Sequence, residues 1–293
     1  MLRAGLLLIL LIVLLTGPAL ACQVERRADV PASLADGFVE VPATVDGKPA
    51  RFLLDTGAED MLVTPGAAAR LALAPDPAHM TRLLGTGGEG RAANVWLAGL
   101  RVGDATLARR SVPVVPLPPP LAADGLLGAP LLTDYDLDLD LVNGHVGLFH
   151  VEGCAAGAPL LPPPFTVVPL TLNADGVPSI PVVVNGVRLT ALLDTGSRAT
   201  ALTPATAARV RAVRLREGGT ARGVDGEVVA IHAARLATLA VGWDVQHDVQ
   251  VAVAPLQIGH ADMLLGVDWL RQRRVWVSYA TRRVLTALAY AWR

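Results

Sequence analysis

The sequence predicts a mostly β protein built as two similar lobes, with few and short helices. Three observations carry this. First, a block recurs: Phe52-Leu53-Leu54-Asp55-Thr56-Gly57-Ala58 and Ala191-Leu192-Leu193-Asp194-Thr195-Gly196-Ser197. Asp, Thr and Gly each make up roughly 5–7% of an average protein, so a given position starts the tripeptide about twice in ten thousand. Second, the flanks match. A turn dipeptide stands nine residues before each Asp, Asp46-Gly47 and Asn185-Gly186. Downstream, at nearly equal distance, come Leu126-Leu127-Gly128 and Leu264-Leu265-Gly266. Matched copies mark an internal repeat far longer than a solenoid unit. Third, most of the remainder is short apolar runs divided by Gly, Pro, Asn and Asp, the pattern of strands.

In chain order, residues 1–21 look like a signal peptide. Arg3 supplies a short positive region, Leu6 to Leu15 is apolar, Gly17-Pro18 breaks any helix, and Ala19-Leu20-Ala21 is an A-x-A cleavage pattern. The apolar stretch is shorter than a membrane span. The expected mature chain starts near Cys22 and is exported, to the periplasm or envelope of a bacterium. Cys22 could then carry a lipid anchor. Alternatively it pairs with Cys154, the only other cysteine, or both thiols stay free.

Residues 22–36 are polar and read as a linker, and 37–152 as the first lobe. Phe38 to Val45 reads as a strand, Asp46-Gly47 as a type I′ hairpin turn, and Arg51 to Leu54 as the return towards Asp55. Pro65 to Leu73 has proline near a first helical turn and an alanine-rich body. Asp134-Tyr135-Asp136-Leu137-Asp138-Leu139-Asp140 alternates with period two, so its carboxylates share one strand face, expected to be solvated. Residues 153–165 hold a proline cluster and read as a semi-rigid connector. Residues 166–293 repeat the plan: Ile180 to Val184, Asn185-Gly186, Val187 to Leu193, then a helix from Pro204 to Val213. Short turns are expected at Ala129 to Thr133 and Val267 to Arg271.

Composition narrows the function classes. The chain has 293 residues, 52% of them hydrophobic, 17% charged and 4% aromatic, so its core must come from Leu, Val and Ala. A formal net charge of −1, with no basic run interleaved with aromatics, argues against nucleic acid. The six histidines show no close ligand spacing, and the Asp run lacks the Gly and distal Glu of a calcium loop, so no metal and no other cofactor is expected. No Gly-x-Ser-x-Gly elbow offers a serine nucleophile.

Paired carboxyls remain. Hydrolysis without metal or covalent intermediate needs a water held between one carboxylate and one carboxylic acid. Two carboxyls this close share a proton and titrate as a unit. Asp55 and Asp194 are the candidates. Gly57 and Gly196 let the backbone turn tightly beside them. Thr56 and Thr195 can hydrogen-bond to the opposite loop and hold the carboxyls coplanar.

At this point the sequence resembles the retropepsin-like aspartic protease family. Asp55-Thr56-Gly57-Ala58-Glu59-Asp60 is similar to the retroviral Asp-Thr-Gly-Ala-Asp-Asp pattern. Gly85-Thr86-Gly87-Gly88 is similar to its flap tip, with Gly223-Val224-Asp225-Gly226 a less typical second flap. The two Leu-Leu-Gly segments are similar to its later apolar-apolar-Gly motif. The resemblance implies two tandem closed β lobes about a pseudo-twofold axis, and hydrolysis of a peptide or protein substrate in the cleft between them. It implies that Glu59 and Asp60, with the flap, touch that substrate. Retroviral enzymes assemble the site from two chains, whereas this chain carries both halves and is expected to work as a monomer. The alternative is a non-catalytic peptide-binding module of the same fold. Ser197 offers a hydroxyl where the first copy has Ala58, and a hydroxyl donating to the neighbouring carboxylate would place the optimum in mild acid, roughly pH 4 to 6.

Overall fold

The computed structural model describes residues 22–85, 88–155, 160–222 and 228–288. Residues 1–21, expected as a signal peptide, Thr86 and Gly87 of the expected first flap, and Gly223 to Gly226 of the expected second lie outside them.

Each half is a closed β lobe. In the second half, strands Pro178–Val184, Val187–Leu193, Met263–Leu265, Ala201–Leu202, Asp244–Val253 and Val228–Val241 are neighbours in that order. Val183 pairs with Ala240, which closes the ring. The first half follows the same course through Phe38–Val45, Lys48–Leu54, Gly125–Leu127 and Leu62–Val63. A bridge from Val63 to Val114 and the pairing of Thr44 with Arg101 close it. Alternation in Phe38–Val45 sends Val39, Val41, Ala43 and Val45 inward, and their repeats Ile180, Val182 and Val184 do the same. Leu, Val and Ala dominate the core, as composition requires.

The turn chemistry is met in both copies. Asp46 and Gly47 have φ of 49° and 74°, and Asn185 and Gly186 have 48° and 80°, so both residues of each turn sit in the left-handed region that a type I′ turn demands. The helices are short, Pro65–Leu71 and Pro204–Arg209. Thr64 and Thr203 cap them by accepting from Ala67 N–H and Thr206 N–H at 3.2 and 3.1 Å. Single turns occupy Ala129–Leu132 and Val267–Leu270.

Two expectations are corrected. The segment read as a linker contains strands Gln23–Pro31 and Ser33–Ala35. The former runs antiparallel to His145–Glu152 and is the edge of a six-stranded sheet. Its exposed polar side chains are those of an edge strand held by backbone hydrogen bonds. The aspartates of Asp136–Asp140 are also not on a solvated face. This strand pairs with Arg273–Ser278 of the other half, in the middle of that sheet. Asp136 and Asp138 are only 2% and 6% exposed. Asp136 accepts from Trp276 Nε1 at 3.1 Å and Ala280 N–H at 3.0 Å. Asp138 takes a two-pronged pair from Arg274, Nε at 2.9 Å and Nη2 at 2.6 Å. A buried carboxylate is tolerated on such terms.

This sheet joins the halves, three strands from each, and it locates the axis. Asp138 lies opposite Trp276, its own counterpart in the repeat, while Leu137 faces Val277 and Leu139 faces Val275. A twofold relation passing through the Asp138–Trp276 pair produces that register.

Cys22 is bonded to Cys154, 132 residues away. Of the three alternatives left by the sequence, pairing is the one realised. The sulfur that a lipid thioether would need is committed to that bond. The bond fastens the edge strand to the end of the first lobe. Replacing both cysteines by Ser should lower unfolding free energy by about 2–5 kcal/mol. Reductant should lower the melting temperature of the wild type and leave the double variant unchanged, as calorimetry would read.

Candidate active site

The repeat places its two Asp-Thr-Gly loops face to face on the axis. Each loop leaves a strand, Lys48–Leu54 or Val187–Leu193, that pairs in parallel with Gly125–Leu127 or Met263–Leu265. That pairing continues into the loop, because Asp55 N–H donates to Leu127 O at 2.9 Å and Asp194 N–H to Leu265 O at 3.0 Å. The glycine ending each Leu-Leu-Gly segment lies against the loop backbone. A Cβ on Gly128 would come within 2.8 Å of Ala58 O, and one on Gly266 within 2.8 Å of Ser197 O. The apolar-apolar-Gly motif is thus two paired strand residues followed by a contact without room for a side chain.

Thr56 and Thr195 bind the loops to each other reciprocally. Thr56 N–H donates to Thr195 Oγ1 at 3.0 Å, and Thr195 N–H to Thr56 Oγ1 at 3.1 Å. Each hydroxyl then donates across the axis, Thr56 to Leu193 O at 2.5 Å and Thr195 to Leu54 O at 2.6 Å. Both threonines are buried, at 1% and 0% exposure. The hydrogen bonds to the opposite loop that the sequence allowed are present.

The carboxyls stand just above, with partial access to solvent. Asp55 Oδ1 accepts from Gly57 N–H at 2.9 Å, and Asp194 Oδ1 from Gly196 N–H at 2.8 Å. Burial, and then the charge of Asp194, push the Asp55 pKa well above the usual carboxylate range. Burial pushes Asp194 up to about 6, against the loop N–H groups of Gly196 and Ser197 and a hydrogen bond from Asp55 that favour its ionised form. The two are one system with a shared proton, so a pKa belongs to the pair rather than to either residue.

Glycine is obligatory between them. A Cβ on Gly57 would lie 2.6 Å from Asp194 Oδ1, and one on Gly196 would overlap the Asp55 carboxyl. Each glycine clears space for the opposite aspartate.

The remaining candidates fall around this centre. Gly85 pairs with Gly88 at the end of an antiparallel hairpin, Pro75–Gly85 with Gly88–Leu97, the element expected as the flap. Its counterpart is Val213–Arg222 with Val228–Val241. Glu59 is exposed as a residue but its carboxyl is partly shielded from water, and that shielding, then the nearby charge of Asp175, raises its pKa. Asp60 faces Arg110 at 3.6 Å. The Ser197 hydroxyl differs from expectation: it donates to Ala199 O at 2.9 Å. A hydroxyl has one proton, so it does not serve Asp194, and the proposed acid shift loses its cause.

Sequence reasoning missed Asp124 and Asp262. They accept from Arg51 N–H at 2.9 Å and Thr190 N–H at 2.8 Å, and pair with Arg70 at 2.7 Å and Arg209 at 2.5 Å. They clamp the strands that carry the dyad. The signal was present, since the repeat runs two residues further upstream, Asp124-Gly125-Leu126-Leu127-Gly128 against Asp262-Met263-Leu264-Leu265-Gly266. It missed Asp268 too, whose Oδ1 accepts from Thr200 N–H and Oγ1, both at 2.8 Å. Asp268 has no acidic counterpart in the first half.

Two closed β lobes meeting at paired Asp-Thr-Gly loops define an aspartic-type peptidase. Comparison with known families agrees in each half: the aspartyl protease family model matches residues 41–131, and that of the gag-polyprotein aspartyl protease matches 180–272. The chain belongs to the retropepsin-like aspartic protease family. A comparison with curated proteins finds no match. Among solved structures, the crystal structure of the aspartic proteinase from Irpex lacteus is similar in fold, with TM-score 0.54 and 12% identity over 92% of this chain and 97% of that one.

Gly196→Ala should keep the fold by circular dichroism and lose at least about a hundredfold in kcat, because misplacing reacting groups by about 1 Å costs that much. Ser197→Ala should leave the pH–rate profile in place. A shifted acidic limb in that variant would return the hydroxyl to the dyad.

Proposed function

We propose that this protein is an exported, single-chain aspartic endopeptidase. The observation that carries the reading is geometric: two Asp-Thr-Gly loops face each other on the axis, each glycine clearing space for the opposite carboxyl, and both carboxyls keep partial access to solvent. In the monoprotonated pair, the ionised carboxyl accepts a proton from a bound water as it attacks the peptide carbonyl. The protonated carboxyl donates to the carbonyl oxygen. The water's oxygen forms the new bond to carbon; as the resulting diol collapses, the C–N bond breaks, the proton taken from water passes to the leaving amine, and the proton given to the carbonyl oxygen returns to the pair. Burial that raises both pKa values keeps an acid available at the pH where a base is also present. Glu59 and Asp60, beside the first loop, and Gly85 to Gly88 in the hairpin are the proposed substrate contacts. Closing the hairpin would exclude water from the bound peptide.

The leader-like pattern of residues 1–21 supports export, and so does a disulfide, which persists in oxidising compartments such as the periplasm. Both half-sites lie on one chain, which supports a monomeric enzyme. Specific activity should not change on dilution.

The test is purified mature protein with a peptide library, read by mass spectrometry, against Asp55→Asn and Asp194→Asn. Each variant should lose about 10³-fold or more in kcat. Near-wild-type turnover in either would refute the dyad. Binding of peptides without cleavage by the wild type would establish a binding module instead.

Activity needs one proton on the pair. It falls when acid protonates both groups and when base ionises both. With Asp194 pushed up to about 6 and Asp55 also raised well above the usual carboxylate range, the acidic limb should lie near pH 6 and the optimum above it, less acidic than the range of roughly pH 4 to 6 expected from the sequence. An optimum below pH 4 would contradict it.

The same shift acts on stability. A carboxyl whose folded pKa is raised contributes stability that is present below its unfolded value of about 4 and lost as pH rises through the folded value. Asp55→Asn should therefore raise the melting temperature at pH 7 and have less effect at pH 4.

A further inference from the structure

The two halves of the cleft carry opposite charge at equivalent positions. Each loop continues outward from its Asp-Thr-Gly, and the residue two places beyond the glycine is Glu59 in one copy and Arg198 in the other. Both are exposed. Neither has an ion-pair partner among the described residues, whereas the adjacent Asp60 faces Arg110.

Each is met by a turn from the opposite lobe. Gly176 packs on the short helix beside the first loop, where its Cβ would lie 3.3 Å from Ala129 Cβ, and Ala129 N–H donates to Ala58 O at 2.9 Å. The same turn carries Asp175, whose charge reaches Glu59. Across the axis, Gly37 packs on Arg198, where its Cβ would lie 3.1 Å from Arg198 Cδ. The Arg198 guanidinium stands over the Phe38 ring at 5.5 Å. One rim of the cleft therefore presents Glu59 with a second carboxylate beside it. The other presents an arginine whose stem is held by the facing turn.

We propose that this opposition sets the direction of the bound peptide and its class: an extended segment with a basic side chain on one side of the scissile bond and an acidic side chain on the other. A pseudo-symmetric cleft offers an extended chain two nearly equivalent directions. Opposite charges at its ends make one direction favourable and the reverse repulsive, since like charges brought together discriminate as strongly as opposite ones attract. The proposal rests on the peptidase reading of the same site.

The test uses three peptides with one central sequence, flanked as Lys…Glu, as Glu…Lys, and as Gln…Gln. The wild type should prefer one charged order over the other by roughly three- to tenfold in kcat/KM, with the neutral peptide between, as expected for partly solvated charge pairs. The ratio should shrink towards one as salt is raised to about 0.5 M. The double reversal Glu59→Arg with Arg198→Glu should invert the order, and Glu59→Gln with Asp175→Asn should reduce it. The same peptides are titrated onto Asp55→Asn by fluorescence anisotropy. Cleavage with equal ratios refutes the directional inference alone. Ordered binding without cleavage by the wild type supports it and refutes the catalytic reading. Neither cleavage nor ordered binding refutes both.

Discussion

Four hydrogen bonds between Thr56 and Thr195 and the strands facing them are the constraint on which the rest of the molecule depends. They are buried, they cross the axis, and each hydroxyl both accepts and donates. In water such bonds contribute little net stability, but an unpaired member buried here would cost about 1–3 kcal/mol. The loops therefore have one arrangement relative to each other. That arrangement brings two acids into contact, which neither charge nor solvation favours. The raised affinity for one proton follows from that enforced proximity and from burial. The chemistry depends on a misfit that the threonines maintain.

The part of this structure legible in the sequence is the part that repeats. Turn dipeptides, Asp-Thr-Gly loops and Leu-Leu-Gly segments each need a definite residue: positive φ at Asp46-Gly47, absent side chains at Gly57 and Gly196, a hydroxyl at Thr56. Where backbone geometry leaves one residue type, sequence and structure coincide. Helix ends were overrun by a few residues, because propensity is weak over one or two turns and tertiary packing decides the boundary.

The central sheet was misread for a different reason. Period-two alternation at Asp136–Asp140 says that carboxylates share a face, and it does not say what covers that face. The cover is Arg274 and Trp276, more than a hundred residues away. Likewise Gln23–Pro31 has the polarity of a linker, and its place is set by pairing with His145–Glu152 and by a disulfide. Long-range partners chosen by the fold leave little local trace. Asp124 and Asp262 fall between these cases, invisible singly and plain once the two copies are aligned.

Symmetry is strict at the axis and relaxes outward. At the dyad the copies are interchangeable, down to the distances of their reciprocal bonds. One residue beyond the glycine, Ala58 and Ser197 differ, and the serine turns its proton to Ala199 O rather than to the dyad. Two residues beyond, Glu59 and Arg198 carry opposite charge. A site made from two identical chains cannot vary in this way, because each substitution would appear on both sides at once. Two copies in one chain free each half to change alone. The groups that share a proton must stay equivalent for the loops to interlock. Where Glu59 and Arg198 meet the ends of an extended peptide, as proposed, they gain by becoming different.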